Sequence, residues 1–260
     1  MKKQRRPQVG PSDEQAFLAA YDASQFPHPS ITVDVALITV DELRLRAVLL
    51  RRGEHPERGK WSLPGGFVRM DESLDDAAAR VLETKVGGGQ VFLEQLYTFG
   101  KPDRDPRTRV ITVAYYALVD AMQLLTDVEH EEQLTWATLQ VGWKGEQGGT
   151  VTAVHEDGRQ LALAFDHAEV LGLVVQRLRG KLNYAPIGFE LLPPRFTLRQ
   201  LQQIHETILS RTLNKDSFRR RMLSSGLLLA TGQLERDVGH RPAELYRFKR
   251  RVGRKRGSDR

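Results

Sequence analysis

Four short, largely apolar segments in the first part of the chain predict β-strands, and the first of them, residues 31–38, alternates in polarity and is rich in β-branched side chains. The segments run over 31–38, 45–50, 91–99 and 110–119. After the second segment, Ser73 has the chemistry of a helix N-cap, and the predicted helix ends near Lys85, where three glycines follow. Residues 166–179 carry apolar side chains at helical spacing and predict another helix. This mixture of elements predicts an α/β (α+β) fold.

Two stretches rich in glycine or proline interrupt this pattern of strands and helices. Residues 142–159 are glycine-rich and polar, with a turn signal at Asp157–Gly158, and they predict a surface hairpin or an insertion. Pro186 and the pair Pro193–Pro194 predict a linker between two domains. We therefore divide the chain into a basic, flexible arm over 1–20, a first domain over 21–182, a second domain over 183–250 and a disordered basic tail over 251–260.

Beyond this linker, the apolar pattern predicts two helices followed by a hairpin. Apolar residues recur at helical spacing over 197–210, with Thr197 as the candidate N-cap. A shorter helix is predicted over 215–225. Apolar segments over 227–230 and 245–248 then flank a polar loop, which predicts a β-hairpin. Helix, turn, helix and hairpin in this order are typical of a winged helix-turn-helix domain.

The charges are distributed unevenly along the chain, and this distribution indicates a partner. The formal net charge is +6, but residues 195–260 hold 17 lysines and arginines against 6 acidic residues. Residues 7–194 are acidic, with 18 basic side chains against 27 acidic ones. A polyanion would therefore meet the C-terminal segment. The chain has no cysteine and no long apolar segment, so we expect a cytoplasmic protein without disulfides, thiolate metal sites or a membrane anchor.

The predicted helix over 215–225 has the chemistry of a helix that reads DNA. At about 100° per residue, Phe218 and Met222 share one stripe, and a polar and cationic arc faces away from it. Arginine can bridge N7 and O6 of guanine in the major groove, while phosphates accept the remaining cations. A solvated basic face is the alternative. The residues that we predict to contact DNA are Thr197, Lys215, Ser217, Arg219, Arg220, Arg221, Thr231, Arg236 and Arg241.

The first domain contains the frame of a Nudix box, a loop–helix–loop motif whose glutamates hold Mg²⁺ or Mn²⁺ against a diphosphate. The frame consists of Gly66, Glu72, Arg80, Leu82 and Gly87. Three motif glutamates are missing, and their positions hold Val81, Thr84 and Lys85. Glu72 remains with Arg80 available as its partner, and Lys85 brings a positive charge to the place of the metal. We therefore expect a pocket that binds a diphosphate with no metal, no cofactor and no hydrolysis.

Cations and aromatic rings near this frame are candidate ligand contacts. Arginine forks suit phosphate oxygens, and aromatic faces suit an adenine ring. Tyr115 is a weaker candidate for such stacking, because a core position explains it better. A motif that is kept only for packing is the alternative to a binding site. The predicted ligand-binding residues are Arg52, Trp61, Gly66, Glu72, Arg80, Lys85, Phe99, Arg104 and Arg107.

A degraded Nudix box followed by a basic winged helix resembles the Nudix-related transcriptional regulators of NAD metabolism. The resemblance rests on Leu63-Pro-Gly-Gly-Phe67, Asp71-Glu-Ser-Leu74, Ala164-Phe-Asp-His167, Phe196-Thr-Leu198, Ser217-Phe-Arg-Arg-Arg221, Thr231-Gly232 and Arg241-Pro-Ala243. It implies a Nudix-fold α/β/α sandwich with a mixed sheet, followed by a winged helix. It also implies a homodimeric repressor of genes for NAD synthesis or salvage, which ADP-ribose releases from its DNA operator. Our own hypothesis is that ligand binding reorients the two winged helices across the dimer.

Two other functions stay open at this point. A metal-dependent pyrophosphatase for ADP-ribose or a nucleoside-diphosphate sugar, with an appended basic domain, would need Glu72, Glu83 and a further acid such as Glu129 around the metal. An RNA-binding protein would need aromatic rings on which bases stack, and the basic segment lacks such a platform.

Overall fold

The structure is a computed structural model that describes residues 13–86, 91–121, 133–182, 184–236, 239 and 241–249. Within these residues the helices are α1 (Asp13–Ala20), α2 (Leu74–Val86), α3 (His167–Lys181), α4 (Leu198–Leu209) and α5 (Lys215–Ser224). The strands are β1 (Ser30–Asp41), β2 (Arg44–Arg51), β3 (Trp61–Ser62), β4 (Gly65–Phe67), β5 (Phe92–Phe99), β6 (Val110–Leu118), β7 (Leu134–Val141), β8 (Val151–Val154), β9 (Gln160–Leu161), β10 (Leu228–Leu234) and β11 (Glu244–Phe248). Short 3₁₀ helices cover Ala23–Gln25 and Ile187–Leu191.

One mixed sheet organises the first domain. Its strands follow the order β5–β6–β1–β2–β7–β8–β9, with β3 paired to β2 and β4 paired to β1. The pairing of β1 with β6 is parallel, and β1 pairs with β2 in the antiparallel direction. The four strands predicted from the apolar pattern are confirmed as β1, β2, β5 and β6, while β7 was not predicted.

Helices cover both faces of this sheet and complete the expected α/β/α sandwich. Alternate residues of β1 point to opposite faces, as the two-residue period of a strand requires. Val33, Val35 and Leu37 share one core cluster with Ala77 and Val81 of α2. On the other face, Ala36 and Ile38 share a second cluster with apolar residues of α3. Burial on both faces explains the nearly continuous apolar sequence of β1.

The glycine-rich stretch over 142–159 is a hairpin, as predicted, and it forms part of the main sheet. Its strand β8 pairs with β7, and β9 pairs with β8 in turn. The backbone of α3 lies directly on this hairpin, because a Cβ built at Gly172 would come within 1.8 Å of the Gly149 carbonyl oxygen. Only glycine fits this contact between α3 and the hairpin.

The segment predicted as a linker between the two domains packs against apolar residues of both of them. Ile187, Phe189 and Leu191 of the 3₁₀ helix are buried. The ring of Phe189 stacks on Phe248 at 4.5 Å and lies 5.6 Å from the ring of Phe196. These residues belong to the same core cluster as the α3 side of the sheet. The winged helix is therefore anchored to the first domain through apolar contacts.

The second domain has the predicted winged-helix layout. Thr197 caps α4 in a capping box with Gln200, and the Asn214 side chain accepts a hydrogen bond from the backbone N–H of Ser217 at the start of α5. Phe218 and Met222 are buried, as the predicted stripe requires. Strands β10 and β11 pair in the antiparallel direction and form the wing hairpin.

At the N-terminus, the second part of the predicted arm is helical, and the flexibility of residues 1–20 stays a prediction. Residues Asp13–Ala20 form α1, and no residue of this helix is buried. Residues 1–12 and the basic tail over 251–260 lie outside the described residues. In the part of the chain that the structure describes, no helix has the length and apolar composition needed to cross a membrane.

Candidate functional site

A cleft of about 650 Å³ opens between β1, β2, the β3–β4 loop and the start of α3. Four arginines and three carboxylates line it, namely Arg51, Arg52, Arg104, Arg107, Asp34, Glu54 and Asp105. Gly66, Phe67, Phe165 and His167 also belong to the lining. The predicted contacts Arg52, Gly66, Arg104 and Arg107 thus lie together in one cleft. Its mixed charges suit a ligand that is anionic and also rich in hydroxyl groups.

Two of these arginines present guanidinium groups to the open part of the cleft. Arg52 lies over the ring of Phe165 at 4.7 Å and donates from Nε to the Pro56 carbonyl oxygen. Burial and the nearby charge of Arg107 lower the pKa of Arg52. Arg107 makes a two-pronged ion pair with Asp105 at 2.7 and 3.0 Å. Each of these arginines keeps donors for a phosphate group, because the guanidinium has five N–H bonds.

Arg104 has a different position from the one predicted for a phosphate contact. Its side chain is only 5% exposed, and it donates to both carboxylate oxygens of Asp166 at 2.7 and 2.9 Å. It also lies 3.5 Å from the Asp34 carboxylate. The guanidinium is therefore occupied by carboxylates, and Arg104 organises the floor of the cleft.

A buried polar network continues this floor around Asp34 and His167. The Thr112 hydroxyl donates to Asp34 at 2.7 Å, and His167 Nε2 lies 3.8 Å from the same carboxylate. The backbone N–H of Leu63 donates to His167 Nδ1 at 2.9 Å, which places the proton of the neutral ring on Nε2. Burial lowers the pKa of His167 and keeps the ring neutral. Gly65 closes the floor, since a Cβ there would come within 2.3 Å of Asp34 Oδ1.

The Nudix-box helix α2 lies beside this cleft, and its remaining glutamate is engaged by an arginine. Arg80 donates to both oxygens of Glu72, at 2.8 and 2.5 Å, and these hydrogen bonds lower the pKa of Glu72 to about 2. Val81 is buried in the core, and the Thr84 hydroxyl donates to the Arg80 carbonyl oxygen. Among the described residues, no group of three or more acids or histidines is placed to hold a metal ion. The donor set therefore does not fit Mg²⁺ or Mn²⁺.

Several predicted ligand contacts lie elsewhere. Trp61 and Phe99 are partly buried against the α3 side of the core and do not line the cleft, which corrects the stacking roles given to them. The Tyr115 side chain is buried and its hydroxyl donates to Asp75 at 2.6 Å. Glu72 and Arg80 do not line the cleft themselves, but Arg80 donates a hydrogen bond to the carbonyl oxygen of Phe67, which does. The side chain of Lys85 lies outside the described residues.

The predicted set of ligand contacts did not include several residues that line the cleft, among them Asp34, Phe67, Asp105, Phe165 and His167. Two of them belong to the Ala164-Phe-Asp-His167 motif, whose polar pair at a helix start was a usable signal. Asp34 could have been noticed as a carboxylate within an apolar strand, because such a group needs buried partners.

The second candidate site is the outer face of α5. Lys215, Ser217, Arg219, Arg220 and Arg221 are all exposed there. Arg221 also lies over the Phe218 ring at 5.4 Å. The helix thus presents cations on one face and packs the other against the domain.

The remaining predicted DNA contacts fall into two groups. Thr197 is only 2% exposed and its hydroxyl accepts from the Gln200 N–H, so its role as a DNA contact is corrected to that of a helix cap. Thr231 is half-buried in β10 and donates to the Leu245 carbonyl oxygen. Arg236 and Arg241 are exposed beside the wing loop.

Both domains of the chain match known protein families. The model of the NUDIX domain matches residues 29–148, and the model of the NrtR DNA-binding winged helix domain matches residues 188–248. The chain is 40% identical over 239 residues to the ADPR responsive transcriptional repressor NtrR of Acinetobacter baylyi, which covers 91% of this chain and 89% of the relative.

Two solved structures are similar as well. Shewanella oneidensis NrtR complexed with a 27mer DNA is 33% identical, with a TM-score of 0.72 over 84% of this chain and 93% of that one. The NUDIX domain of the same NrtR complexed with ADP ribose is 32% identical, with a TM-score of 0.51 over 64% of this chain and 99% of that domain. The chain therefore belongs to the family of Nudix-related transcriptional regulators that includes NtrR and NrtR.

Proposed function

We propose that this protein is a transcriptional repressor that responds to ADP-ribose. The observation that carries the proposal is the union, in one chain, of an arginine-lined cleft with a winged helix whose α5 exposes three adjacent arginines. The A. baylyi and S. oneidensis relatives support both halves of the proposal, since the first is an ADPR responsive transcriptional repressor and structures of the second were solved with DNA and, for its NUDIX domain, with ADP ribose.

The chemistry of the cleft matches the parts of ADP-ribose. Arg52 and Arg107 bind the diphosphate, because guanidinium forks pair well with phosphate oxygens. Carboxylates such as Asp105 accept hydrogen bonds from ribose hydroxyl groups. The exposed ring of Phe67, with Arg107 at 5.8 Å from its centre, offers the adenine a stacking face.

Binding occurs without hydrolysis in this proposal. Both oxygens of Glu72 accept hydrogen bonds from Arg80, and one of them also accepts from the Arg69 N–H. A divalent ion would have to break this ion pair, and Val81 and Thr84 offer it no carboxylate. Without a metal-bound hydroxide, the diphosphate has no activated nucleophile.

On DNA, α5 lies in the major groove with Ser217, Arg220 and Arg221 toward the bases. Arg219 and the wing residues Arg236 and Arg241 meet phosphates. The protein acts in the cytoplasm as a homodimer on two half-sites. Its targets are genes of NAD synthesis or salvage, because ADP-ribose is a product of NAD breakdown and reports on its turnover.

Titration calorimetry with ADP-ribose in EDTA tests the effector part of this proposal. We expect binding without metal, about tenfold weaker binding by Arg107→Ala, and unchanged binding by the exposed control Arg159→Ala. An absolute requirement for Mg²⁺ or Mn²⁺, or turnover of ADP-ribose to AMP with either ion, would contradict the proposal in favour of a pyrophosphatase. Sedimentation equilibrium measures the dimer, and a monomer at all concentrations would refute it.

A further inference from the structure

A buried arginine joins the first domain to the winged helix. Arg179, in the last turn of α3, is only 1% exposed. Its Nε donates to the Ile208 carbonyl oxygen at 2.8 Å and its Nη2 to the Ser210 hydroxyl at 2.8 Å, both at the end of α4. Its Nη1 donates to the carbonyl oxygens of Trp143 and Gly145, at 3.1 and 3.0 Å. One side chain thus connects α3, the hairpin that follows β7 and the first helix of the winged helix.

The partners of this guanidinium are unusual for a buried charge. All four acceptors are neutral, and the Trp143 ring lies 4.6 Å from the guanidinium carbon. Burial without a counterion lowers the pKa of Arg179. A buried charge is costly unless its hydrogen bonds are well formed, so a shift of α4 relative to α3 is resisted by the two hydrogen bonds to Ile208 and Ser210, while the two to Trp143 and Gly145 hold the guanidinium in place.

The opposite end of α3 lies at the cleft. Asp166, which directly precedes the helix, is held by Arg104, and His167 accepts from the Leu63 N–H. The helix has 15 residues and therefore spans about 22 Å. Its Gly172 packs on the Gly149 carbonyl with no room for a side chain, so the helix and the hairpin move as one unit.

Movement of α4 would carry α5 with it, because hydrogen bonds fix the turn between them. Gln202 of α4 donates to the Leu213 carbonyl oxygen at 3.1 Å, and the Leu213 N–H donates to the Glu206 carboxylate at 2.7 Å. Both contacts lie just before the start of α5. The exposed arginines of α5 are thus coupled to the end of α3 through α4.

We propose that α3 transmits the occupancy of the cleft to the winged helix, and that Arg179 is the positioning residue that makes this transmission possible. The inference rests on the proposed response to ADP-ribose. A ligand that alters the contacts of Arg104 with Asp166 displaces the start of α3, and Arg179 passes that displacement to α4. Neither Arg179 nor any of its partners touches the cleft or the outer face of α5.

The test uses the full-length protein and compares Arg179→Lys with the matched control Arg177→Lys. Arg177 lies in the same helix, but it contacts Glu94 and the Leu96 carbonyl oxygen within the first domain. Lysine keeps the charge and loses the fork that reaches several acceptors. Ser210→Ala, which removes one hydrogen bond and keeps the backbone conformation, is the milder variant.

For each protein, titrations give the Kd for ADP-ribose and the Kd for operator DNA with and without saturating ADP-ribose. In the wild type and in Arg177→Lys, we expect ADP-ribose to weaken operator binding by about 5- to 150-fold, the usual range of such coupling. In Arg179→Lys the factor falls below about threefold, while ADP-ribose still binds with near wild-type affinity. Ser210→Ala gives an intermediate factor.

Each outcome decides between the inference and the function on which it rests. If ADP-ribose leaves operator binding by the wild type unchanged, the proposed function fails. If the wild type responds and both Arg179→Lys and Ser210→Ala respond equally, the inference is overturned. An equal loss in Arg177→Lys would overturn it too, because the effect would then be a general softening of α3. If Arg179→Lys does not fold, Ser210→Ala decides.

Discussion

Replacing Arg220 and Arg221 together by alanine removes two exposed guanidinium groups from the outer face of α5. The packed face of the helix, with Phe218 and Met222, stays intact. Alanine is at least as good a helix former as arginine, so the helix should persist. The loss of the contact between Arg221 and the Phe218 ring costs about 0.5–1 kcal/mol at such an exposed site.

The effect on DNA binding should be far larger than the effect on folding. A bidentate contact of arginine with guanine contributes about 1–3 kcal/mol, so the loss of two such contacts weakens specific binding by about 2–6 kcal/mol. A lost phosphate contact instead lowers the slope of log K against log salt by about 0.9. The salt dependence therefore distinguishes the two kinds of contact.

Fluorescence anisotropy of a labelled operator at several salt concentrations measures both quantities, and calorimetry measures ADP-ribose binding in parallel. Arg44→Ala with Arg159→Ala is the matched control, because it removes the same charge from exposed sites of the first domain. We expect the α5 variant to lose operator binding and to keep ADP-ribose binding. Equal losses in the two double variants would refute the assignment of α5 as the reading helix, since only net charge would then matter.

Two further predictions concern the cleft and the support of α5. Gly65→Ala would place a Cβ 2.3 Å from Asp34 Oδ1 and 2.9 Å from the Val33 carbonyl oxygen, and we expect calorimetry to show ADP-ribose binding weakened at least about tenfold. The control Gly142→Ala, whose Cβ would meet nothing within 4 Å, should bind ADP-ribose with unchanged affinity. Equal affinities of the two variants would show that the floor of the cleft does not contribute to ADP-ribose binding. Burial lowers the pKa of His205, under α5, to about 4. Because the unfolded state binds the proton more readily, stability falls as the pH drops from about 6.5 towards 4, by about 2 kcal/mol between pH 7 and pH 5. Urea denaturation at both pH values should show a smaller loss in His205→Asn, and identical losses would refute the prediction.

Much of the fold could be predicted because its signals are local. Ser73 directly precedes the helix that it caps, and the Ser73 and Asp76 side chains each accept a hydrogen bond from the other residue's backbone N–H. The stripe of Phe218 and Met222 follows from helical periodicity alone. The winged-helix layout was therefore accurate to within a residue or two for both helices.

The cleft was harder to predict, because its contacts join distant parts of the chain. Arg104 forms an ion pair with Asp166, which is 62 residues away in the sequence, and the sequence does not show that this pair engages the Arg104 guanidinium. An arginine in the last turn of a helix is normally exposed, and no residue near Arg179 in the sequence indicates that its side chain is buried against α4. The aromatic rings of Trp61 and Phe99 were equally ambiguous, since core and stacking positions favour the same residues.

The most direct test of the whole account is the anisotropy of labelled DNA from the upstream region of the protein's own gene, titrated with protein and then with ADP-ribose at fixed salt. The account predicts saturable binding that ADP-ribose reverses in the presence of EDTA. Specific binding that ADP-ribose leaves unchanged, or no specific binding to duplex DNA, would contradict it.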